Sequence, residues 1–352
     1  MRQLRIAVIA GDGIGPEVID SAIEVTDQAT SSAGVRLEWS RFPWNSTYYL
    51  EHGRMLPDDG IEQLRSFDAI LLGAIGHPKV QDHVTLNGLL LPIRRRFDQY
   101  VCVRPAILYE GVTSPLRNYP PGQIDILVFR ENTEGEYANV GGRLYEGFDD
   151  EVAIQTSVFT RRGCRRIMEA AFRAAVRRRS KVTSITKSNA QGFGMVLWDQ
   201  VFRDVAAQFP DVETNSLLID AAAMDFVRRP EKFDVVVASN LFGDILTDLG
   251  AAIVGSMGLA PSGNINPERT APSMFEPVHG SAPDIVGLGI ANPLAAILSA
   301  AMMLDHLDVP TPARAIESAV RQLLRARNPR TPDLGGTSKT ADITRAILDL
   351  LD

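Results

Sequence analysis

The chain has 352 residues, 45% of them hydrophobic and 22% charged, with a formal net charge of −7 and two cysteines. That length supports more than one substantial core, and the acidic balance argues against a nucleic-acid or anionic-membrane surface. Cys102 and Cys164, with no C-x-x-C pair, exclude a disulfide framework and a zinc cluster of the usual spacing.

The first apolar run, "LRIAVIA", reads as a buried strand and leads into "AGDGIGPEV" at residues 10–18. This turn imitates a dinucleotide fingerprint, but counted from Gly11 the third glycine falls one place early and Pro16 fills its position. Proline can open a helix, so strand, turn and helix survive while the Rossmann reading weakens, and Glu38 is only a loosely spaced ribose acid. The strand starts too near Met1 to leave room for a signal peptide, and no apolar run reaches the length of a membrane span. The expected location is cytoplasmic, with both thiols reduced.

Further along, "AILLGA", "DILVFR", "KVTSITK" and "DVVVAS" alternate with amphipathic stretches such as 163–179 and 198–208, the pattern of an α/β chain. Between the first two of these strands lies the arginine-rich "IRRRFDQYVCVRPA". Arg94, Arg104 and Arg130 come from separate elements and could assemble an anion site, while Arg95 and Arg96 read as surface charge. Residues 108–123 form a loop rich in turn residues. Glycines divide strand-like runs in 134–160, as in a protruding antiparallel arm that either clasps a second subunit or packs on its own domain. Arg177, Arg178 and Arg179 suit the carbonyl end of a helix. Lys187 closes a strand, where it is either a surface lysine or a desolvated base.

"SNLFGDILTDLGAAI" follows "DVVVAS" with Asn240 as a cap, and puts Asp244 and Asp248 on one helical face with no nearby cation in sequence. Either the two acids form a solvated helix start or they hold a hard divalent cation. "FEPVHGSAPDIVGLGIANP" is a compact loop with His279 and Asp284; it could wrap a ligand, Asp284 accepting from ribose hydroxyls, or be a rigid connection. The tail after Asn292 is mostly helical.

Eight segments in order, "GDGIGPEV", "LLGAIGHP", "IRRRFDQYVCVRPA", "FRENTEGEY", "TKSN", "SNLFGDILTDLGAAI", "MFEPVHGSAPDI" and "GIANP", make the chain resemble the β-decarboxylating dehydrogenases, the isocitrate, isopropylmalate, homoisocitrate and tartrate/D-malate enzymes. The resemblance implies the isopropylmalate/isocitrate dehydrogenase-like fold, two α/β domains with a central cleft, and not a Rossmann fold. It implies a large domain of 1–98 and 251–352, carrying most of the NAD site, and a small domain of 99–250 with a dimer-clasping arm near 134–160. Carried residue by residue, it makes Tyr137 and Lys187 catalytic, Arg94, Arg104 and Arg130 binders of substrate carboxylates, and Asp220, Asp244 and Asp248 ligands of Mg²⁺ or Mn²⁺. Ala74, His279, Gly280, Ser281, Ala282, Asp284, Ile285 and Asn292 would surround NAD, which an acid at Asp284 favours over NADP. Lys187 and Asp220 would reach the site from the partner of a homodimer. A monovalent-cation requirement is left open.

The implied chemistry is oxidation of a 2-hydroxy dicarboxylate followed by loss of CO₂, with Lys187 taking the hydroxyl proton and Tyr137 returning one at C3. Leu89, Leu90 and Leu91, an apolar wall where the bacterial NADP-type isocitrate enzymes place a serine, count against isocitrate. The stretches "WNSTYYLEHGRMLPDDGIEQLRSFDAI", "FVRRPEKFDVVVASN" and "APSGNIN" favour the tartrate/D-malate branch over 3-isopropylmalate dehydrogenase, although Asn87 stands where that branch typically has tryptophan. A non-catalytic regulatory subunit is the alternative from another class, and retention of Tyr137, Lys187 and the three aspartates speaks against it.

Overall fold

Twelve strands carry the architecture of the computed structural model, which describes residues 2–352. In chain order they are β1 (Arg2–Gly11), β2 (Val35–Arg41), β3 (Ala69–Ala74), β4 (Val101–Ile107), β5 (Asp125–Glu131), β6 (Gly135–Leu144), β7 (Val152–Val158), β8 (Lys181–Thr186), β9 (Glu213–Leu218), β10 (Val235–Ala238), β11 (Pro261–Ile265) and β12 (Ser273–Pro277). Ten form one sheet in the order β2-β1-β3-β12-β11-β4-β5-β10-β8-β9, and β6 and β7 pair alone as an antiparallel ribbon. The five strands expected to run as buried runs all do so, because helices cover both faces of a largely parallel sheet.

The sheet has two parallel halves joined by an antiparallel seam. β2, β1, β3 and β12 run parallel, as do β5, β10, β8 and β9, while β11 and β4 pair antiparallel to their neighbours between them. Strands from 1–98 and 251–352 fill one side of the seam and those from 99–250 the other. Period-two alternation splits β1 between two cores: Ile6 and Val8 join the larger, and Ala7 and Ile9 join a smaller one with Leu72, Leu89, Ile93 and Phe97.

Register across the seam builds the cleft. Glu276 faces Ser262, Asn264 faces Cys102, and Cys102 faces Arg130. Directly opposed residues share a sheet face, and Arg104, two residues beyond Cys102, shares it too. Three guanidinium or carboxylate side chains from distant sequence positions thereby point to one side, where the helix Asn240–Ile253 lies against β4 and β5. Gly243 permits that approach, since a Cβ there would come within 2.7 Å of the Arg130 side chain.

Candidate active site

A cleft of about 180 Å³ opens at the seam, lined by Arg94, Arg104, Arg130, Tyr137, Asp244, Ala74, His279 and Gly280 among the expected residues. A larger open groove of about 660 Å³, along Ser31 to Ala33 and Asp308 to Pro312, shares no residue with it and lacks its convergent buried charges.

Arg104 and Arg130 share one carboxylate oxygen. Their Nη1 atoms donate to Asp244 Oδ1 at 3.0 Å and 2.6 Å, and Tyr137 donates its hydroxyl to Oδ2 at 2.9 Å. Burial alone would push the Asp244 carboxyl up, but Arg130 and Arg104 outweigh it and hold the group at about 2. Asp248, one turn on, is shifted the other way by burial and by the charge of Asp244. Arg94 donates from Nη2 to Glu276 Oε1 at 2.8 Å, while its buried Nε has no partner. Two cations sharing one oxygen, beside an orphaned guanidinium N–H, leave donor capacity that suits an anion.

Asn240 does something other than the expected capping. The helix begins at Asn240 with Ser239 as N-cap, and the Asn240 amide oxygen accepts from Arg130 Nε at 3.2 Å and Nη2 at 2.7 Å. Glu136 serves the helix end instead, accepting from Leu241 N at 3.1 Å and Ser239 Oγ at 2.8 Å. The arginine run 177–179 also differs from a simple dipole partner: Arg178 donates to Asp125 at 2.9 Å and Asp234 at 2.8 Å, joining β5 to the approach to β10.

Two expectations about the wall need correction. Leu89 and Leu91 are buried in the core, and Leu86 with Leu90 lines the cleft. The cause is a π-turn over Leu86–Leu90, which shifts the helical phase by about one residue. Asn87 is exposed, its amide donating to His83 O at 2.8 Å, so it does not stand in that wall. Arg95 is not free surface charge either, because it is partly buried and Nη2 donates to the Tyr137 carbonyl.

The glycine turn at the N-terminus buttresses the loop expected to hold the cofactor. Ile14 N donates to Ser281 O at 2.9 Å, and Gly13, at φ +57°, approaches so closely that a Cβ would lie 2.0 Å from that oxygen. Asp12 binds Ser46 N at 2.9 Å, Ser46 Oγ at 2.7 Å and Gly76 N at 3.0 Å, tying the turn after β3 to the same place. The opening motif thus acts here through main-chain packing. Gly13→Ala should lower the Tm and, if the loop holds the expected NAD, raise its KM by about tenfold, since an L residue is strained at that φ and displaces the loop; an unchanged Tm would show that the loop tolerates the shift.

On that loop, Ala282 sits at φ +42° and packs with Ile285 on the main core, while Asp284 is exposed. Asn292 is internally engaged: Nδ2 donates to Asp333 Oδ2 at 2.9 Å and Oδ1 accepts from Leu294 N at 3.1 Å. The buried His279 Nε2 has no partner, as a ligand-facing atom would.

Lys187 and Asp220 lie apart from the cleft lining. Lys187 Nζ bonds Asp220 Oδ1 at 2.8 Å, with side chains 28% and 61% exposed, and the ammonium holds the Asp220 carboxyl below its ordinary range. Among the described residues no single-chain group of three or more His, Cys, Asp or Glu could hold a metal. Asp244 and Asp248 supply hard oxygen donors that repel each other, the donor chemistry a divalent cation needs, but they are two and not three. Sequence reasoning missed Glu276, Glu136 and Asp12. Glu276 had a visible signal, an acid inside the apolar strand "MFEP", which requires a buried partner.

The family model described as isocitrate/isopropylmalate dehydrogenase matches residues 5–347. A probable tartrate dehydrogenase/decarboxylase of Bacillus subtilis (strain 168) is 51% identical, with 100% of this chain and 99% of the relative covered. The D-malate dehydrogenase [decarboxylating] of Escherichia coli (strain K12) is 50% identical, again with 100% and 99% covered. The crystal structure of isocitrate dehydrogenase from Methylococcus capsulatus superposes with a TM-score of 0.89 at 36% identity, covering 100% of this chain and 99% of that one. With the seam, the cleft and these likenesses agreeing along its full length, this chain belongs to the isocitrate/isopropylmalate dehydrogenase family.

Proposed function

We propose that the protein is an NAD-dependent, divalent-metal-dependent decarboxylating dehydrogenase that converts D-malate to pyruvate and CO₂, with tartrate as a related substrate. The observation that carries the reading is the convergence of Arg94, Arg104, Arg130 and Tyr137 on one small cleft beside the His279 loop. A volume of about 180 Å³ suits a four-carbon diacid, well below the ~300 Å³ at which drug-sized sites begin. Relatives about half identical over their full length bear the names D-malate dehydrogenase [decarboxylating] and tartrate dehydrogenase/decarboxylase.

In this reading the guanidinium groups of Arg94, Arg104 and Arg130 bind the two carboxylates and align C2 with the cofactor loop. Lys187 of the partner subunit accepts the hydroxyl proton as the C2 hydride leaves. The C3 carboxylate departs as CO₂, leaving its bonding electrons on the carbon skeleton, and Tyr137 gives C3 its proton. NAD⁺, held by Asp284 and the main chain near His279 and Asn292, is the hydride acceptor when bound. Asp244 and Asp248, completed by Asp220 of the partner subunit, would hold Mg²⁺ or Mn²⁺, which supplies Lewis acidity toward the C2 oxygen. The cleft lies between a large domain, 1–98 with 251–352, and a small one, 99–250. The β6–β7 ribbon, with Val140, Leu144, Tyr145, Phe148 and Ile154 exposed, is the clasp of a homodimer.

The test compares kcat/KM for D-malate, L-tartrate and 3-isopropylmalate with NAD⁺ and Mn²⁺ or Mg²⁺, and measures CO₂ release. A preference for D-malate with pyruvate formed supports the reading. Preference for 3-isopropylmalate would make the Leu86 and Leu90 wall, which suits an isopropyl group, the determinant of specificity.

A further inference from the structure

Arg94 and Arg95 are consecutive, yet they serve opposite walls. From the helix Leu91–Arg96, Arg94 reaches Glu276 on β12, whereas Arg95 reaches the main-chain carbonyl of Tyr137 on β6. Tyr137 lies where the β6–β7 ladder fails. Gly135 pairs with Val158 and Val140 with Thr156, so residues 136–139 have no regular partner on β7, and Asn139 takes φ +26°. A stretch without ladder bonds needs other anchors. Glu136 supplies one through Ser239 and Leu241, and Arg95 supplies the other at Tyr137 itself.

We infer that Arg95 is a positioning residue: its guanidinium fixes the backbone of Tyr137 and so aims the tyrosine hydroxyl at the reacting carbon. The same bond links 1–98 to 99–250, so it ties the placement of Tyr137 to the helix that carries Arg94. The inference rests on the proposed role of Tyr137 as proton donor. The partial burial of Arg95 and its bond to the Tyr137 carbonyl fit a fixed side chain better than a solvated one.

The experiment compares Arg95→Met, Arg95→Lys, Tyr137→Phe and the double variant Arg95→Met/Tyr137→Phe in the full-length protein, with D-malate, NAD⁺ and Mn²⁺. Arg95→Met is expected to lose roughly 10–100-fold in kcat while KM for NAD⁺ stays within about twofold, because misplacement of a reacting group by an ångström costs on this order. Arg95→Lys, which keeps an N–H donor, should recover most of the loss, and the double variant should be no slower than Tyr137→Phe. Wild-type kcat in Arg95→Met, with Tyr137→Phe impaired, overturns the positioning role and leaves the proposed function standing. Additive losses in the double variant also overturn it, as does loss of NAD⁺ binding or of a cooperative melt in Arg95→Met, which would make the residue structural. A fully active Tyr137→Phe removes the proton-donor reading, and this inference with it.

Discussion

Lys187→Met is expected to cut turnover by roughly 10²–10⁴-fold, the range for loss of a general base, while leaving NAD⁺ and Mn²⁺ binding near wild type. Methionine keeps the unbranched stem out to the ε carbon, with sulfur in place of the δ-methylene, and lacks the amine. In the lone chain that amine sits at the end of β8, bonded to Asp220 and away from the lining of the cleft. A catalytic role therefore requires delivery from a second subunit, which supplies a stricter test. Mixing Lys187→Met with Tyr137→Phe chains should restore about a quarter of wild-type activity, because half of the random dimers contain one site with both intact groups. Turnover unchanged in Lys187→Met rules out the base, and mixed chains that stay inactive rule out the shared site.

Asp244→Asn should be doubly damaging, and Asp248→Asn only singly so. Asp244 is the common acceptor for Arg104, Arg130 and Tyr137, and Arg130 is only 2% exposed. Neutralising the acid leaves two buried guanidinium groups without a charged partner, a change that costs roughly 3–5 kcal/mol in comparable buried pairs. If Asp244 holds the proposed cation, activity should fall by about 10² or more, since such an ion would contribute several kcal/mol to the transition state. Asp248 is destabilised as an anion by burial and by Asp244, so Asp248→Asn should weaken Mn²⁺ binding with no loss of Tm. Thermal melts and Mn²⁺ titrations of the two variants separate the effects. Equal Tm losses would mean that Asp244 is not the electrostatic hub.

The elements were legible wherever local chemistry decides them. "LRIAVIA", "AILLGA" and "DVVVAS" lie in β1, β3 and β10, since β-branched runs bounded by turn residues can be satisfied only inside a covered sheet. Pro16 in place of a glycine weakened a nucleotide fingerprint at the first turn, and that turn packs on Ser281 through its main chain. The family followed from the order of eight motifs; the three arginines and the Asp244–Asp248 pair were already candidates from residue type and spacing, and Tyr137 followed from the resemblance alone.

What local sequence could not carry was phase and register. A π-turn rotated Leu89 and Leu91 into the core and brought Leu86 to the cleft, although periodicity treats the leucines alike. Arg95 and Arg96 are adjacent and chemically identical, yet one is drawn toward Tyr137 and the other is exposed, because the helix ends between two walls that are remote in sequence. Asn240 offered a cap and instead holds Arg130, because a carboxylate from residue 136 reaches the same helix end.

The sequence by itself determined the α/β alternation, the family and the chemical kinds of group available, since these depend on residue type and short-range order. Only the tertiary structure decided which groups meet: the antiparallel seam sets Glu276, Ser262, Arg104 and Arg130 on one face, and its central pairing joins β11 to β4, strands over 100 residues apart, a long-range register that is a property of packing and that no local pattern encodes.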